Sequence, residues 1–409
     1  MVSWNGLDDI NKIDMKNSKI LNINNIEIIG YVFVCSLVFL ISINIPIRFD
    51  ANSFITTGER VLNGDISKIY EPINGSGPFT YAPWVAFLMV PFAILGRDIN
   101  LVAAFSSLSM LGILWTALKT DEVQNHCKVP ALVITSAIFS FLIWESLYIG
   151  QIDIILCFLI FASYASKQTK LIKYVFAALV VMIKPQFLPV LFFRQSLKEG
   201  FLNLGVLIAL CSSSVVFLYF YVSQDYQLIL NLFKNFLINA HSIANTIDVT
   251  NQSGISIAKR FLGTSPYAGR YYPEFFSPSL NVSYNYIHPY PMIFLSLLMC
   301  ILSVLCIKNF KSLVHSKWGY SSFFLLLPIF SPLFWFVHYI YVIPVSFYLV
   351  RLFFANGKWY LMLAFLPLLV SMPVITTNHL ADIFLANGLP LVSLALLLIA
   401  YVSVGLSDK

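Results

Sequence analysis

Apolar runs of about 20 residues recur along the chain from Ile26 to its end, separated by short polar or charged stretches, and each is long enough for a helix to cross the ~30 Å hydrocarbon core of a bilayer. The pattern predicts spans at 26–45, 100–118, 130–148, 151–166, 201–222, 287–307, 318–335, 338–353, 359–375 and 388–405. Two further apolar stretches read differently. Residues 81–96, "YAPWVAFLMVPFAILG", hold Pro83 and Pro91, and a helix of that length covers only ~24 Å. They predict a helix lying along the membrane surface. Residues 171–193, "LIKYVFAALVVMIKPQFLPVLFF", break at Lys184-Pro185 and predict two short arms that enter the membrane and return.

The basic residues orient this threading. The loops at 119–129, 167–173, 194–200, 308–317 and 351–358 then fall on the side of both termini, and that side collects most of the 25 lysines and arginines. Such an excess marks cytoplasmic loops. Were 81–96 to cross instead, "KQTKLIK" at 167–173 would face outward. The expectation is an all-α polytopic protein of the cell membrane with about 12 membrane segments, two of them short or re-entrant arms. Residues 1–25 form a cytoplasmic N-terminal segment, 26–405 a single transmembrane domain and 406–409 a cytoplasmic tail. The loops 46–99 and 223–286 face outside, the first carrying the juxtamembrane helix.

Composition narrows the classes. The 409 residues are 58% apolar and only 11% charged, whereas a soluble protein carries about 25% charged residues. The net charge of +6 follows from the cytoplasmic loops and does not point to nucleic acid; the expected surroundings are membrane lipid. The six cysteines fall mainly inside apolar runs without a CxxC pair, which argues against disulfides and zinc. With no Walker A, GxGxxG or HExxH motif, no cofactor and no metal is expected; "NGSGPF" at 74–79 reads as a turn. The first 25 residues lack the layout of a cleaved signal, so the first span is expected to stay.

Polar groups at membrane depth are costly and default to functional candidates. On the outer side stand Arg48, Asp50 and Glu59 in the first loop, then Glu145, Gln151 and Asp153 around "WESLYIGQIDIIL". Lys184 and Gln186 follow in "IKPQFLP", and His338 in "SPLFWFVHYIYVIP". Each has a bland alternative. Asp50 suits a helix N-cap, as Gln151 does for the helix after it. Lys184 suits a lysine that snorkels to the interface, and His338 with Trp335, Tyr339 and Tyr341 suits an aromatic belt. Glu59, Asp65 and Glu71 suit a solvated loop face. What favours an enzyme site is that four separate parts of the chain reach one level in the threading.

The order of these motifs resembles the GT-C superfamily of integral-membrane glycosyltransferases, and within it glycosyltransferase family 87, the polyprenyl-phosphate-mannose-dependent mannosyltransferases. Asp50, Phe54, Gly64 and Tyr70 follow the first span as that family's acid, aromatic, glycine and tyrosine do. "FTYAPWVAFLMVPFAILG" is similar to its F-x-Y-P-P start of a juxtamembrane helix, with Ala82 for the first proline. "GQID" at 150–153 has Asp153 where the family more often has Asn, and "IKPQFLP" is followed much later by "SPLFWFVHY" with a single histidine. The resemblance implies a GT-C fold and transfer of a sugar from a polyprenyl-phosphate donor to a glycan or glycolipid acceptor on the outer side, with inversion. Asp50 matches the general base, and His338, Lys184 and Gln151 match the phosphate side. Arg48, Asp153, Gln186 and Tyr81 complete the expected substrate-binding set. Two other readings of the residues stay open: a transporter or flippase of lipid-linked saccharides, and a polymerase or ligase of lipid-linked oligosaccharides.

Overall fold

The computed structural model describes residues 30–95, 97–119, 128–165, 170–192, 197–244, 335–373 and 378–407, with a few single positions besides. These residues are mainly helical and form no strand, with an isolated bridge between Ile73 and Ser76. In chain order the helices are α1 (Gly30–Ser42), α2 (Phe49–Leu62), α3 (Val85–Leu88), α4 (Val90–Ile94), α5 (Leu101–Lys119), α6 (Lys128–Ile149) and α7 (Asp153–Ala165). They continue with α8 (Lys170–Ile183), α9 (Leu197–Tyr221), α10 (Tyr226–Ala244), α11 (Ile343–Ala355), α12 (Leu366–Val370), α13 (Asn378–Ala386) and α14 (Leu389–Ser407). Tight 3-10 segments at Pro185–Phe192, Phe336–Val342 and Trp359–Phe365 extend α8, α11 and α12.

Four of the described stretches are long and apolar enough to cross a membrane: Leu101–Leu118, Val129–Ile149, Glu199–Tyr221 and Phe336–Ala355. A fifth, α13 with the first part of α14, bends by 61° at its break. The spans expected at 26–45, 151–166 and 359–375 are shorter apolar helices here, and those expected at 287–307 and 318–335 lie outside the described residues. So do 1–25 and most of 245–334. Burial sorts the long spans. Phe336–Ala355 is enclosed over most of its length, while Glu199–Tyr221 is mostly exposed and apolar all round. A helix of that kind is either a core element or one that faces hydrocarbon. The first lies in the interior and the second at the surface.

Three local features build the end of the bundle that matters. Asn100 caps α5 by accepting the Ala103 N–H at 3.0 Å, and its own amide donates to the carbonyl of Ile45 at 3.1 Å, tying the exit of α1 to the entry of α5. Helix α2 stops where Gly64 takes φ +77, with the Asp65 N–H closing on the Arg60 carbonyl at 2.8 Å. That left-handed turn is the one glycine supplies at least cost. The stretch 81–96 is not one helix. It splits at Met89 into α3 and α4, because Pro91 brings no N–H to the preceding turn and fits only the first turn of a new helix. Both pieces pack on α2.

Candidate active site

Asp50 lies in the first turn of α2, partly buried. The residue at the N-cap is Arg48, so the capping role open to Asp50 in the sequence is not the one it has. Phe49, just before it, holds φ +36, a left-handed backbone that costs a bulky residue of order 1–3 kcal/mol. The turn at 74–76 braces this start. Ser76 Oγ donates to the Phe49 carbonyl at 2.7 Å and accepts from the Asn52 amide at 2.9 Å.

Against this turn sits the link between α6 and α7. Gly150 takes φ +82, and a Cβ there would fall 2.3 Å from the Cβ of Ala51. Only a residue without a side chain lets the two backbones approach so closely. Gln151 follows, and its amide donates to Asp50 Oδ2 rather than capping α7; its carbonyl is held from behind by Ser106 Oγ of α5 at 3.2 Å.

Behind Gln151 is a buried polar cluster drawn from three places. Asp153 opens α7 and is fully enclosed. Its Oδ1 accepts from Lys184 Nζ at 2.6 Å and from the Tyr341 hydroxyl, while Oδ2 lies 3.4 Å from His338 Nε2. Lys184 stands at the break between α8 and the 3-10 segment after it, buried rather than snorkelling. Its Nζ is 3.3 Å from His338 Nε2. His338 Nδ1 accepts the Trp335 N–H at 3.2 Å, which leaves the ring proton on Nε2, between the lysine and the carboxylate. His338 is thus part of the interior and not of an aromatic belt. Tyr341 is the member that the sequence reading left to an aromatic belt. It follows His338 by three positions, and in a 3-10 segment residues so spaced share one face.

An aromatic wall flanks the cluster. Phe54 and Phe79 lie 5.6 and 5.4 Å from the ring of Tyr81, and the Tyr70 hydroxyl fixes the Tyr81 carbonyl at 2.8 Å. Burial and the two neighbouring carboxylates hold the Tyr81 phenol well above its ordinary range, so it stays a hydroxyl. For Asp50, burial raises the carboxyl from its usual value to about 6. The Lys184 ammonium pulls it down, Asp153 pushes it up, and the Gln151 bond lowers it.

The structure therefore brings Asp50, Gln151, Asp153, Lys184, His338 and Tyr81 together. It does not bring all the expected residues. Arg48 turns to α6, donating to the Tyr148 hydroxyl with its guanidinium 4.7 Å over that ring. Gln186 is partly buried in the 3-10 segment and takes no part in the cluster's hydrogen bonds. Glu59 lies on α2 with a third of its side chain exposed, and Arg97 forks onto it at 2.9 Å. Among the described residues no group of three or more His, Cys, Asp or Glu is placed to hold a metal ion. All the clustered elements meet at one end of the bundle, where α6 and α8 finish, where α7 and the segment leading to α11 begin, and where α2 lies across. A carboxylate of raised proton affinity, an ammonium with protons to spare and a bank of hydroxyl and amide groups can together deprotonate a hydroxyl beside a developing anion.

Residues 79–308, more than half of the chain, match the family model of glycosyltransferase family 87. No curated protein and no solved structure matches the chain.

Proposed function

Because the chain belongs to glycosyltransferase family 87, it is a glycosyltransferase of the membrane, and we propose that it moves mannose from a polyprenyl-phosphate donor to an acceptor hydroxyl on the extracytoplasmic side. In this reading Asp50 Oδ takes the proton of the acceptor hydroxyl as that oxygen attacks the anomeric carbon. The bond from that carbon to the phosphate oxygen breaks, and polyprenyl phosphate leaves with the electron pair. With one carboxylate acting as base and none as nucleophile, the displacement is direct and the anomeric centre inverts. Lys184 meets the charge that builds on the leaving phosphate, which is worth most in a water-poor site. Gln151 orients Asp50, and His338 lies against the lysine.

The observation that carries the reading is the meeting of Asp50 with Gln151 and the Lys184 cluster across four separate parts of the chain. Membranes holding the protein should transfer label from radiolabelled polyprenyl-phosphate mannose. Asp50→Asn keeps shape and hydrogen bonding but cannot take a proton, and removal of a general base costs roughly 10²–10⁴-fold in rate. Near-normal turnover by Asp50→Asn would sink the assignment of the base, and transfer from another lipid-linked sugar in place of mannose would sink the donor.

A further inference from the structure

The cluster holds a second carboxylate that the transfer chemistry does not use. Asp153 is fully enclosed, so it reaches neither donor nor acceptor, yet it takes the closest contact that Lys184 makes, at 2.6 Å. Asp50 takes its hydrogen bond from Gln151, and among the described residues it forms no ion pair with the lysine. A buried ammonium seeks the nearest carboxylate, and a desolvated charge without one is expensive. With two carboxylates within its electrostatic reach, Lys184 is committed to the one that does not react. We infer that Asp153 is a positioning residue that holds the Lys184 ammonium off Asp50, so that the reacting carboxylate stays free to accept a proton. The inference rests on Asp50 being the base of the proposed reaction.

The hydrogen bonds explain why the lysine stays where it is. Asp153 Oδ1 is fixed from the other side by Tyr341, so the carboxylate that seats Lys184 is braced by both α7 and the 3-10 segment before α11. An asparagine at 153 offers one neutral acceptor in place of an anion. Lys184 would then have Asp50 as its counter-charge, and an ion-paired carboxylate is a weaker base.

The groups that face Asp50 are Gln151 from the α6–α7 link, Asp153 from α7, Lys184 from the end of α8 and Tyr81 from the approach to α3. Arg48, two residues before it, is directed to Tyr148. Of these, Lys184 and Asp153 act on Asp50 in opposite senses. Removing one or the other should therefore move the acid limb of activity in opposite directions.

The test is the pH dependence of kcat/KM for transfer from radiolabelled polyprenyl-phosphate mannose, in membranes of the full chain. Relative to the parent, Asp153→Asn is expected to move the acid limb down by about one pH unit, and Lys184→Met to move it up, since an opposite charge within a few ångströms shifts a carboxyl by about that much or more. A residue that merely supports the fold would lower activity and leave the limb where it is. Because the role runs through Lys184, adding Asp153→Asn to Lys184→Met is expected to move the limb by less than Asp153→Asn moves it in the parent. If Asp153→Asn does not yield folded protein, Tyr341→Phe, which keeps the carboxylate but frees its Oδ1, is expected to lower the limb in its place. An acid limb that stays put or rises on loss of the Asp153 charge, in an enzyme that Asp50→Asn inactivates, overturns this inference and leaves the proposed base standing. Full activity of Asp50→Asn overturns both.

Discussion

Two ion pairs in this protein have similar geometry and opposite settings. Arg97 meets Glu59 at 2.9 Å on the outer side of α2, with side chains 51% and 33% exposed. Lys184 meets Asp153 at 2.6 Å in the interior, at 8% and 0%. The first pair is supported by Asn52 and Thr56, which accept from the same guanidinium, and water can replace any of these bonds. The second has no such substitute. An exposed pair contributes about 0.2–1 kcal/mol, while breaking a buried one strands a charge at about 3–5 kcal/mol. A membrane protein with so few charges has placed two of them where they are hardest to keep. Both charges act on Asp50, in opposite senses.

The comparison is tested most severely by removing one half of the buried pair. Asp153→Ala takes from the Lys184 ammonium its closest counter-charge, leaving only the more distant Asp50, and opens a gap beside the Tyr341 hydroxyl. The expected loss is about 3–5 kcal/mol of stability, read as a lower unfolding temperature in detergent. Replacing both partners by apolar residues of similar volume, as in Asp153→Leu/Lys184→Met, should recover much of that loss while transfer stays low. A single variant as stable as the parent would show that the buried pair does not hold this end of the bundle together.

Much of this end of the molecule was legible in the sequence, and the rest was not for a definite reason. Hydrophobic runs give the depth of a residue in the membrane, so the polar residues at their ends could be assigned to one level, and Asp50, Gln151, Lys184 and His338 do meet there. Depth says nothing of direction around a helix. Arg48 stands at the same level as Asp50 yet faces Tyr148, and Asp153 was grouped with substrate-binding residues although its carboxylate faces inward to Lys184. Pairs so far apart in the chain cannot be read from spacing. The break at Lys184-Pro185 was visible because proline interrupts a helix, and the same argument applied to Pro91 would have split 81–96. Tyr341 could have been found from its three-residue offset from His338, but only once a 3-10 segment was suspected. Most of residues 245–334, including the aromatic stretch of the long loop, lie outside the described residues. The start of that loop forms α10, whose Asn239 amide donates to the Phe79 carbonyl at 3.3 Å.

A smaller effect is expected where the two regions touch. Gly150 joins the buried cluster to α2, and Gly150→Ala would set a methyl group against Ala51 while forcing an alanine to φ +82. Strain of this kind costs of order 1–3 kcal/mol, and the structure can relieve part of it by moving α2 away. That motion lengthens the Gln151 to Asp50 bond. The expected outcome is a fall in kcat larger than any change in donor KM, with a modest loss of stability. A variant that loses only stability would show that the approach of α2 is a packing matter and not a condition for turnover.

The smallest effect belongs to the exposed pair, and it is the control that gives the comparison its meaning. Glu59 is an acid of the same helix as Asp50, nine positions further on, and from the sequence alone it competes for the role of base. The structure places it under the Arg97 fork, with a third of its side chain in solvent. Glu59→Gln removes the charge but keeps a carbonyl oxygen for the guanidinium, which retains Asn52 and Thr56 as partners. The expected change in stability is below about 1 kcal/mol, and transfer should stay within about a few-fold of the parent across the pH profile. High salt should shrink even that difference, since exposed charges are screened within about 10 Å. A collapse of activity in Glu59→Gln, with its stability unchanged, would move the base from the buried end of α2 to its exposed face.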